Sequence, residues 1–175
     1  QKGIITEITI ELPKSWQANL SYAGLNDLSQ GVSASEVMER VVKIRQSKLP
    51  DPKQLPNAGS FFKNPCITHK QWQCLKISYP KMPSYPQTGG RVKLAAGWLI
   101  EQVGLKGYQQ NGVGIHDKQA LVLVNHHNGC GQQIVQLAQY VQRKVFSVFD
   151  LWLEPEVRFV YTAGEVDLKT NNSTR

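Results

Sequence analysis

The sequence predicts an α+β fold, with a small antiparallel sheet and flanking helices. Apolar residues recur at helical spacing in three or four segments, and two of these segments begin with a capping-box pattern. Short alternating or β-branched runs, which are typical of strands, lie in separate stretches of the chain. No internal repeat or low-complexity segment suggests another class of protein.

The first predicted element is a strand over residues 3–12, where GIITEITIEL alternates apolar and polar residues. An irregular stretch follows. We then expect a helix, because Ser33 and Glu36 form a capping-box pattern ahead of an apolar face. Two prolines after Lys48 end this helix, since proline disfavours the helical conformation of the residue before it. The same prolines predict a domain boundary near residue 50.

The rest of the chain predicts a second series of elements. Thr68 and Gln71 form another capping-box pattern, which starts a short helix. The further predictions are loops over residues 57–65 and 79–90, helices over 92–103 and about 132–149, strands over 120–125 and 152–161, and a frayed end over 169–175.

Composition places the chain among folded proteins. Of its 175 residues, 41% are hydrophobic and 19% are charged, which excludes wholesale disorder. The longest apolar run, over residues 94–100, is too short to cross a bilayer, so we predict no membrane partner. No signal-peptide pattern opens the chain. Because it starts with Gln1 and not with Met, we expect it to be part of a longer protein.

The cysteines and histidines predict neither a disulfide framework nor a metal site. The cysteines are Cys66, Cys74 and Cys130. Three widely spaced thiols are interpreted as small apolar packing residues in a reducing compartment, which predicts a cytoplasmic protein. His116, His126 and His127 have no nearby carboxylate at a ligand-like spacing, so we predict no metal.

The formal charge of +7 favours an anionic partner. A nucleic acid and a phosphorylated small molecule would satisfy this charge equally well, but no nucleic-acid-binding motif is present, and we predict no nucleic-acid partner. The basic residues between Arg40 and Lys53 describe either the solvated face of a helix or, for one or two of them, a phosphate contact.

Two segments carry candidate chemistry. The loop GSFFKNP brings Ser60, Lys63 and Asn64 close together in sequence, and it is either a ligand-binding loop or a tight turn whose phenylalanines fill the core. In LEPEVRF, period-two alternation puts Glu154, Glu156 and Arg158 on one face of a strand, which is either a solvated edge or part of a site. The sequence motifs of phosphate-binding loops and common hydrolases are absent.

Three motifs in this order, NAGSFFKNP, YPQTGGRVKLAAGWLIEQVGLKG and WLEPEVRF, closely resemble the carboxy-terminal half of the UDP-N-acetylenolpyruvoylglucosamine reductase family, also called UDP-N-acetylmuramate dehydrogenases. The resemblance runs from about Gly3 to the end of the chain. The stretch LSYAGL around Tyr22 is similar to the family type that has a tyrosine-bearing loop over the substrate.

The resemblance implies a cytoplasmic bacterial flavoprotein, an oxidoreductase of peptidoglycan synthesis. The family takes a hydride from NADPH onto FAD and delivers it to the enolpyruvyl group of a UDP-sugar, giving UDP-N-acetylmuramate. By the same resemblance, Ser60 matches the proton donor, Glu156 matches the active-site glutamate, and Arg158 is a possible neighbour of the substrate carboxylate or the flavin. The residues that match the family's substrate-binding positions, chiefly around the diphosphate, are Tyr22, Lys48, Asn64 and Gln119.

The chain departs from the family in one large respect. It lacks the amino-terminal half, which in the family supplies a glycine-rich phosphate loop for FAD and an active-site arginine. We therefore expect this chain to bind FAD weakly or not at all and to be inactive alone. The resemblance divides it into the end of an FAD-binding domain (residues 1–50), a substrate-binding domain (51–152), and a return strand and tail that carry Glu156 (153–175).

Because the flavin half is missing, a second function stays open. The chain would then be a module that binds a UDP-sugar without catalysis.

Overall fold

The computed structural model describes residues 6–166 of the chain. The chain divides into two compact units, Gln1–Ser47 and Lys48–Arg175. The assignment of the first to an FAD-binding domain and of the second to a substrate-binding domain stays a prediction. The predicted frayed end over residues 169–175 lies outside the described residues.

Helix α1 (Ala34–Lys48) follows an irregular stretch. The predicted capping box is confirmed, because Ser33 N donates to Glu36 Oε2 at 2.9 Å and Glu36 N donates to Ser33 Oγ at 3.3 Å. The hydrogen bonds from the hydroxyl and then the backbone of Ser33 lower the pKa of the Glu36 carboxyl. The predicted end of the helix at Lys48 is also confirmed.

The predicted strand over residues 3–12 is wrong in its described part. Residues 6–12 pair with no strand within the described residues, and the side chains of Ile8, Ile10 and Leu12 are 73%, 73% and 77% exposed. An alternating pattern becomes a strand only where a neighbouring strand accepts its hydrogen bonds. Residues 3–5 lie outside the described part of the chain.

The second unit confirms the α+β class. Its remaining helices and strands are β1 (Asn57–Ser60), β2 (Cys66–Thr68), α2 (His69–Ser78), β3 (Ser84–Pro86), β4 (Arg91–Leu94), α3 (Ala96–Gln102), β5 (Gln109–Gln110), β6 (Val113–Ile115), β7 (Val122–Asn125), α4 (Gly131–Phe149), β8 (Phe159–Tyr161) and β9 (Gly164–Val166). Between residues 48 and 166 the strands form antiparallel sheets with the orders β1-β7-β6-β5, β2-β4-β3 and β8-β9. The prediction was one small antiparallel sheet, whereas these residues form three separate sheets.

The core of the second unit forms around the long helix α4. Its predicted apolar face is confirmed, with Leu137, Ala138 and Val145 fully buried. These residues belong to one cluster with Leu99 and Ile100 of α3 and with residues of the four-stranded sheet. Burial of these side chains holds the loops at the strand ends in fixed positions.

The predicted helix over residues 92–103 is half correct. Helix α3 begins only at Ala96, and residues 91–94 form the central strand of the three-stranded sheet. Val92 and Leu94 are buried, whereas Arg91 is exposed, so burial follows a period of two. A short apolar run does not distinguish strand from helix, and pairing with β2 and β3 decides here.

Three further element predictions need correction. The predicted strand over residues 152–161 is a strand only over β8, and the residues before it form only one isolated bridge, Phe62 to Pro155. The predicted loop over residues 57–65 begins with β1, which pairs with β7. The predicted loop over residues 79–90 contains β3 and a 3₁₀ turn, Thr88–Gly90. The predicted strand over 120–125 is confirmed as β7 over its later part.

The cysteines do not pack in the core. All three are exposed, which contradicts their interpretation as apolar packing residues. Cys66 lies on the outward face of β2, where only Ile67 is buried. Cys74 lies on α2, which has no fully buried residue.

We predict that the capping box at the start of α2 contributes to stability. Thr68 Oγ1 accepts from Gln71 N at 3.2 Å, and Thr68 N donates to Gln71 Oε1 at 3.0 Å. Thr68→Ala removes the side-chain acceptor and should lower the free energy of unfolding by about 1 kcal/mol, measured by urea denaturation. Thr68→Ser keeps the hydroxyl and is the control. Equal stability of the alanine and serine variants would contradict the prediction.

Candidate active site

A cleft of about 680 Å³ lies beside the start of α3. We call it the amide cleft because two predicted substrate residues, Asn64 and Gln119, both line it. The other side chains and backbone that line it belong to Tyr85, Lys93, Ala95, Gly97, Trp98, Glu101, Lys118, Ala120 and Leu121. The fold therefore brings together two candidate residues that are far apart in sequence.

Asn64 is held by the start of α3. Its Oδ1 accepts a hydrogen bond from Ala96 N at 2.9 Å, which satisfies one of the N–H groups that a helix leaves unpaired at its beginning. Nδ2 of Asn64 donates to no residue within 6–166. The side chain is thus oriented by its oxygen and keeps its donor for a ligand.

Gln119 is oriented in a similar way. Its Oε1 accepts from Leu121 N at 3.5 Å, and its backbone oxygen accepts from Val122 N at 3.0 Å, which starts β7. Among the described residues, nothing accepts a hydrogen bond from Nε2. The amide cleft therefore offers a ligand two carboxamide N–H₂ groups, which come from distant parts of the sequence.

The charges in the amide cleft favour an anion. Neither Lys93 nor Lys118 forms an ion pair with any described residue, whereas the carboxylate Glu101 is paired with Lys106 at 2.9 Å. Tyr85 lies directly opposite Lys93 in the β3–β4 pair, so their side chains are on the same face of the sheet. Two unpaired cations and two amide donors suit a phosphate-bearing ligand.

The aromatic side of the amide cleft is fixed by packing. The ring of Trp98 lies 5.8 Å from that of Tyr79 in an edge arrangement, and 6.0 Å from that of Phe149. These contacts connect Trp98 to the core of the second unit. Its ring provides a preorganised apolar surface beside the amides and lysines.

A second cleft, of about 350 Å³, contains the predicted catalytic glutamate. We call it the carboxylate cleft, because its charged residues are Lys63, Glu154, Glu156, Arg158 and Glu165. Lys63 pairs with Glu154, and Arg158 Nε donates to Glu165 Oε1 at 2.9 Å. Glu156 forms no hydrogen bond or ion pair with any described side chain, so its carboxylate is available to a ligand.

The ion pairs affect the two cations of the carboxylate cleft. The hydrogen bond to Glu154 raises the pKa of Lys63, and the negative charges of Glu154 and Glu156 add to the same effect. The hydrogen bond and charge of Glu165 raise the pKa of Arg158. Both cations therefore stay charged, and the Arg158 guanidinium is already engaged by a carboxylate of this chain.

Ser60 and Glu156 are connected through Phe61. Glu156 N donates to the backbone oxygen of Phe61 at 2.8 Å, and Ser60 is the residue before Phe61. Gly59 has φ +72, a left-handed conformation that suits glycine, and its N donates to Asn57 Oδ1 at 2.9 Å. This turn leaves Ser60 exposed at the end of β1.

The structure confirms one interpretation of the GSFFKNP loop, and the ligand-binding interpretation stays a prediction. Phe61 and Phe62 are 3% and 1% exposed, so the phenylalanines do fill the core. The residues on either side of them, Ser60, Lys63 and Asn64, are exposed. The two rings therefore anchor a loop whose polar side chains face solvent and the two clefts.

Tyr22 and Lys48, the other two predicted substrate residues, precede residue 51 in the sequence. In the first unit, Tyr22 is 57% exposed, in a loop that is fastened to α1 by a hydrogen bond from Arg40 Nε to Gly24 O at 3.2 Å and by the Arg40–Asp27 ion pair. The hydrogen bond from Arg40 is the main cause that lowers the pKa of Asp27. Lys48 is exposed at the carboxyl end of α1 and lines neither of the two clefts.

Sequence reasoning missed three residues of the amide cleft: Tyr85, Lys93 and Lys118. The sequence predicts a helix at Lys93 and a loop at Tyr85. If RVKL is interpreted as a strand, in which burial alternates with a period of two, Lys93 lies against a partner strand. That partner, β3, has only three residues, which is too short a run to be predicted from the sequence. Lys118 precedes Gln119 in the sequence and gives no signal of its own.

Comparison with known proteins identifies the family. The family described as "UDP-N-acetylenolpyruvoylglucosamine reductase, C-terminal domain" matches residues 51–160. The chain belongs to this family. Its α+β fold and the order of its three motifs agree with that membership.

Curated relatives of the reductase family cover nearly the whole chain. A UDP-N-acetylenolpyruvoylglucosamine reductase of Pasteurella multocida is 47% identical over 165 residues, which is 94% of this chain and 48% of the relative. Reductases of the same name from Shigella sonnei and Escherichia coli K12 are each 48% identical over 163 residues. The chain spans about half the length of the curated relatives it matches. Within residues 6–166, no helix is both long and apolar enough to cross a membrane.

We predict that Asn64 stabilises the fold through its oxygen alone. Asn64→Ala leaves Ala96 N without its acceptor and should lower the free energy of unfolding by roughly 1–3 kcal/mol. Asn64→Asp keeps an acceptor at the same place, and its negative charge is favourable at the start of a helix. Urea denaturation of the two variants should therefore separate them. Similar losses in both would show that the hydrogen bond to Ala96 is not what matters.

Proposed function

We propose that this chain is the substrate-binding and proton-donating part of a flavin-dependent reductase of peptidoglycan synthesis. The reaction is the NADPH- and FAD-dependent reduction of the enolpyruvyl group of UDP-N-acetylglucosamine-enolpyruvate to UDP-N-acetylmuramate. The enzyme would act in the cytoplasm, and its product would serve cell wall biogenesis, cell shape and cell division. The observation that carries the proposal is the amide cleft, which unites Asn64 and Gln119 in a chain of the reductase family.

The chemistry of the amide cleft suits a UDP group. A diphosphate carries several negative charges, and Lys93 and Lys118 are unpaired cations on the cleft wall. The free N–H₂ groups of Asn64 and Gln119 can donate to phosphate or uracil oxygens. The preorganised ring of Trp98 offers an apolar contact for the base or the ribose. We further propose that Tyr22 and Lys48 add a phenol ring and a point charge around the diphosphate.

The reacting end of the substrate would lie at Ser60 and Glu156. Reduction of an enol ether at its methylene carbon leaves carbanionic charge on the carbon beside the carboxylate. Such a carbon is basic enough to take a proton from Ser60 Oγ, although serine is otherwise a poor acid. Glu156 would stabilise or protonate the enolic carboxylate. The hydrogen bond from Glu156 N to Phe61 O supports this pairing, because it joins the segment of Glu156 to the residue after Ser60.

When bound, FAD reduced by NADPH supplies the hydride. The residues of the carboxylate cleft, where the reacting groups would meet the flavin, do not fit the diphosphate of FAD. In the carboxylate cleft, the carboxylates Glu154, Glu156 and Glu165 outnumber the cations Lys63 and Arg158, and both cations are already paired. An anionic diphosphate would therefore meet net negative charge there. We accordingly limit the part of the described residues to the substrate and the proton, and we treat Arg158 as a neighbour of the reacting groups.

This poor fit to FAD also favours the second candidate function. On this chain alone, the amide cleft would bind a UDP-sugar without catalysis. Binding and turnover must therefore be measured separately.

The first experiment tests binding. Calorimetric titration of UDP into the chain should give saturable one-to-one binding. Asn64→Asp keeps the fold but replaces the N–H₂ donor by a carboxylate, and the affinity should fall at least roughly tenfold, since it loses a hydrogen bond and gains charge repulsion. Asn128→Asp, which adds the same charge at an exposed loop position, should bind as the parent chain does. Equal affinities of the two aspartate variants would refute the assignment of the cleft.

The second experiment tests chemistry. A chimera joins the amino-terminal half of the Pasteurella multocida relative to this chain, and flavin reduction and product formation are followed separately. Ser60→Ala should leave flavin reduction by NADPH intact and slow product formation roughly 10²- to 10⁴-fold, because the proton donor is lost. Ser147→Ala, at an exposed position of α4, is the control. Unimpaired turnover of Ser60→Ala would remove its role as proton donor.

A further inference from the structure

One residue of the amide cleft is a glycine inside a helix. Gly97 is the second residue of α3 and lies among the residues that line the cleft. Glycine inside a helix is less favourable than alanine, because it loses more conformational freedom on folding. Its backbone does not need a left-handed conformation, since Gly97 is not among the residues with positive φ. The space beside Gly97 offers a structural reason for a glycine at this position.

That space is occupied by the side chain of Gln119. A Cβ added at Gly97 would lie 3.2 Å from Gln119 Oε1, and 3.4 Å and 3.5 Å from Leu121 Cγ and Cδ1. The Oε1 atom is the one that accepts the hydrogen bond from Leu121 N. An added methyl group would thus press on the oxygen that orients the Gln119 amide, and this oxygen would have to move by a few tenths of an ångström.

We propose that Gly97 is a positioning residue for the ligand contact of Gln119. The absent side chain lets the Gln119 carboxamide lie against α3 with its oxygen on Leu121 N and its N–H₂ group available to a diphosphate-bearing nucleotide. This inference rests on the proposed function, which makes Gln119 a substrate contact. It adds a residue that touches no ligand itself and acts only through its neighbour.

The proposal predicts that Gly97→Ala affects stability and UDP binding differently. Gly97→Ala should keep or raise the melting temperature, because alanine favours the helix. The same substitution should weaken UDP binding by roughly tenfold, the effect of one lost hydrogen bond. A glycine that served helix packing alone would give the opposite pattern, with lower stability and unchanged affinity. Gly131→Ala is the matched control, since a Cβ at this first residue of α4 would meet nothing within 4 Å.

A double-mutant cycle tests whether Gly97 acts through Gln119. Calorimetry with UDP is performed on Gly97→Ala, Gln119→Ala and the double variant of the full chain. The double variant should bind no more weakly than Gln119→Ala alone, because the amide that Gly97 positions is already absent. Additive losses, or a Gly97→Ala variant that binds as tightly as Gly131→Ala, would overturn the inference. Unchanged affinity of Gln119→Ala would instead overturn the place of Gln119 in the proposed function.

A second measurement needs no ligand. In a ¹H–¹⁵N spectrum, the side-chain N–H₂ signals of Gln119 should shift in Gly97→Ala and stay in place in Gly131→Ala. The Leu121 backbone signal should shift with them, since its hydrogen bond ends on the displaced oxygen. Unshifted Gln119 and Leu121 signals would overturn the inference whatever the affinity for UDP.

Discussion

Both clefts depend on the backbone hydrogen bonds of the segment over residues 61–63. Phe61 N donates to Leu121 O on one side, and on the other side Phe61 O accepts from Glu156 N while Lys63 N donates to Glu154 O, each at 2.8 Å. The buried rings of Phe61 and Phe62 fix this segment to the core. The amide cleft and the carboxylate cleft are therefore formed on the two flanks of one short piece of backbone that is hydrogen-bonded on both sides.

The helices could be predicted from the sequence, but most of the short strands could not. The capping patterns at Ser33 and Thr68 are local, and the apolar face of α4 repeats over five turns, so neighbouring residues alone determine them. Strands of three or four residues depend on distant partners. RVKL became a strand through β2 and β3, whereas GIITEITIEL has no partner strand among the described residues and forms no strand there.

The candidate site, too, could be predicted only in part from the sequence. Sequence alone gave two open alternatives for GSFFKNP, and only the resemblance to the reductase family selected Ser60, Asn64 and Gln119. The lysines and aromatic rings beside them were not predictable, because β4, α3 and the turn before β7 meet only in the folded chain. The cysteine prediction failed for a related reason. A thiol is small enough to be tolerated on the surface as well as in a core, and composition does not decide between the two.

The Asn64 side chain limits how this site can change during evolution. One end of its carboxamide holds the first turn of α3, and the other end faces the amide cleft. Asn64→Ala removes both ends, and Asn64→Asp keeps the acceptor but sets a negative charge against the proposed diphosphate ligand. A substitution that escapes a molecule bound there therefore weakens either the fold or the binding of the substrate. An inhibitor anchored on Asn64 would therefore meet a high barrier to resistance.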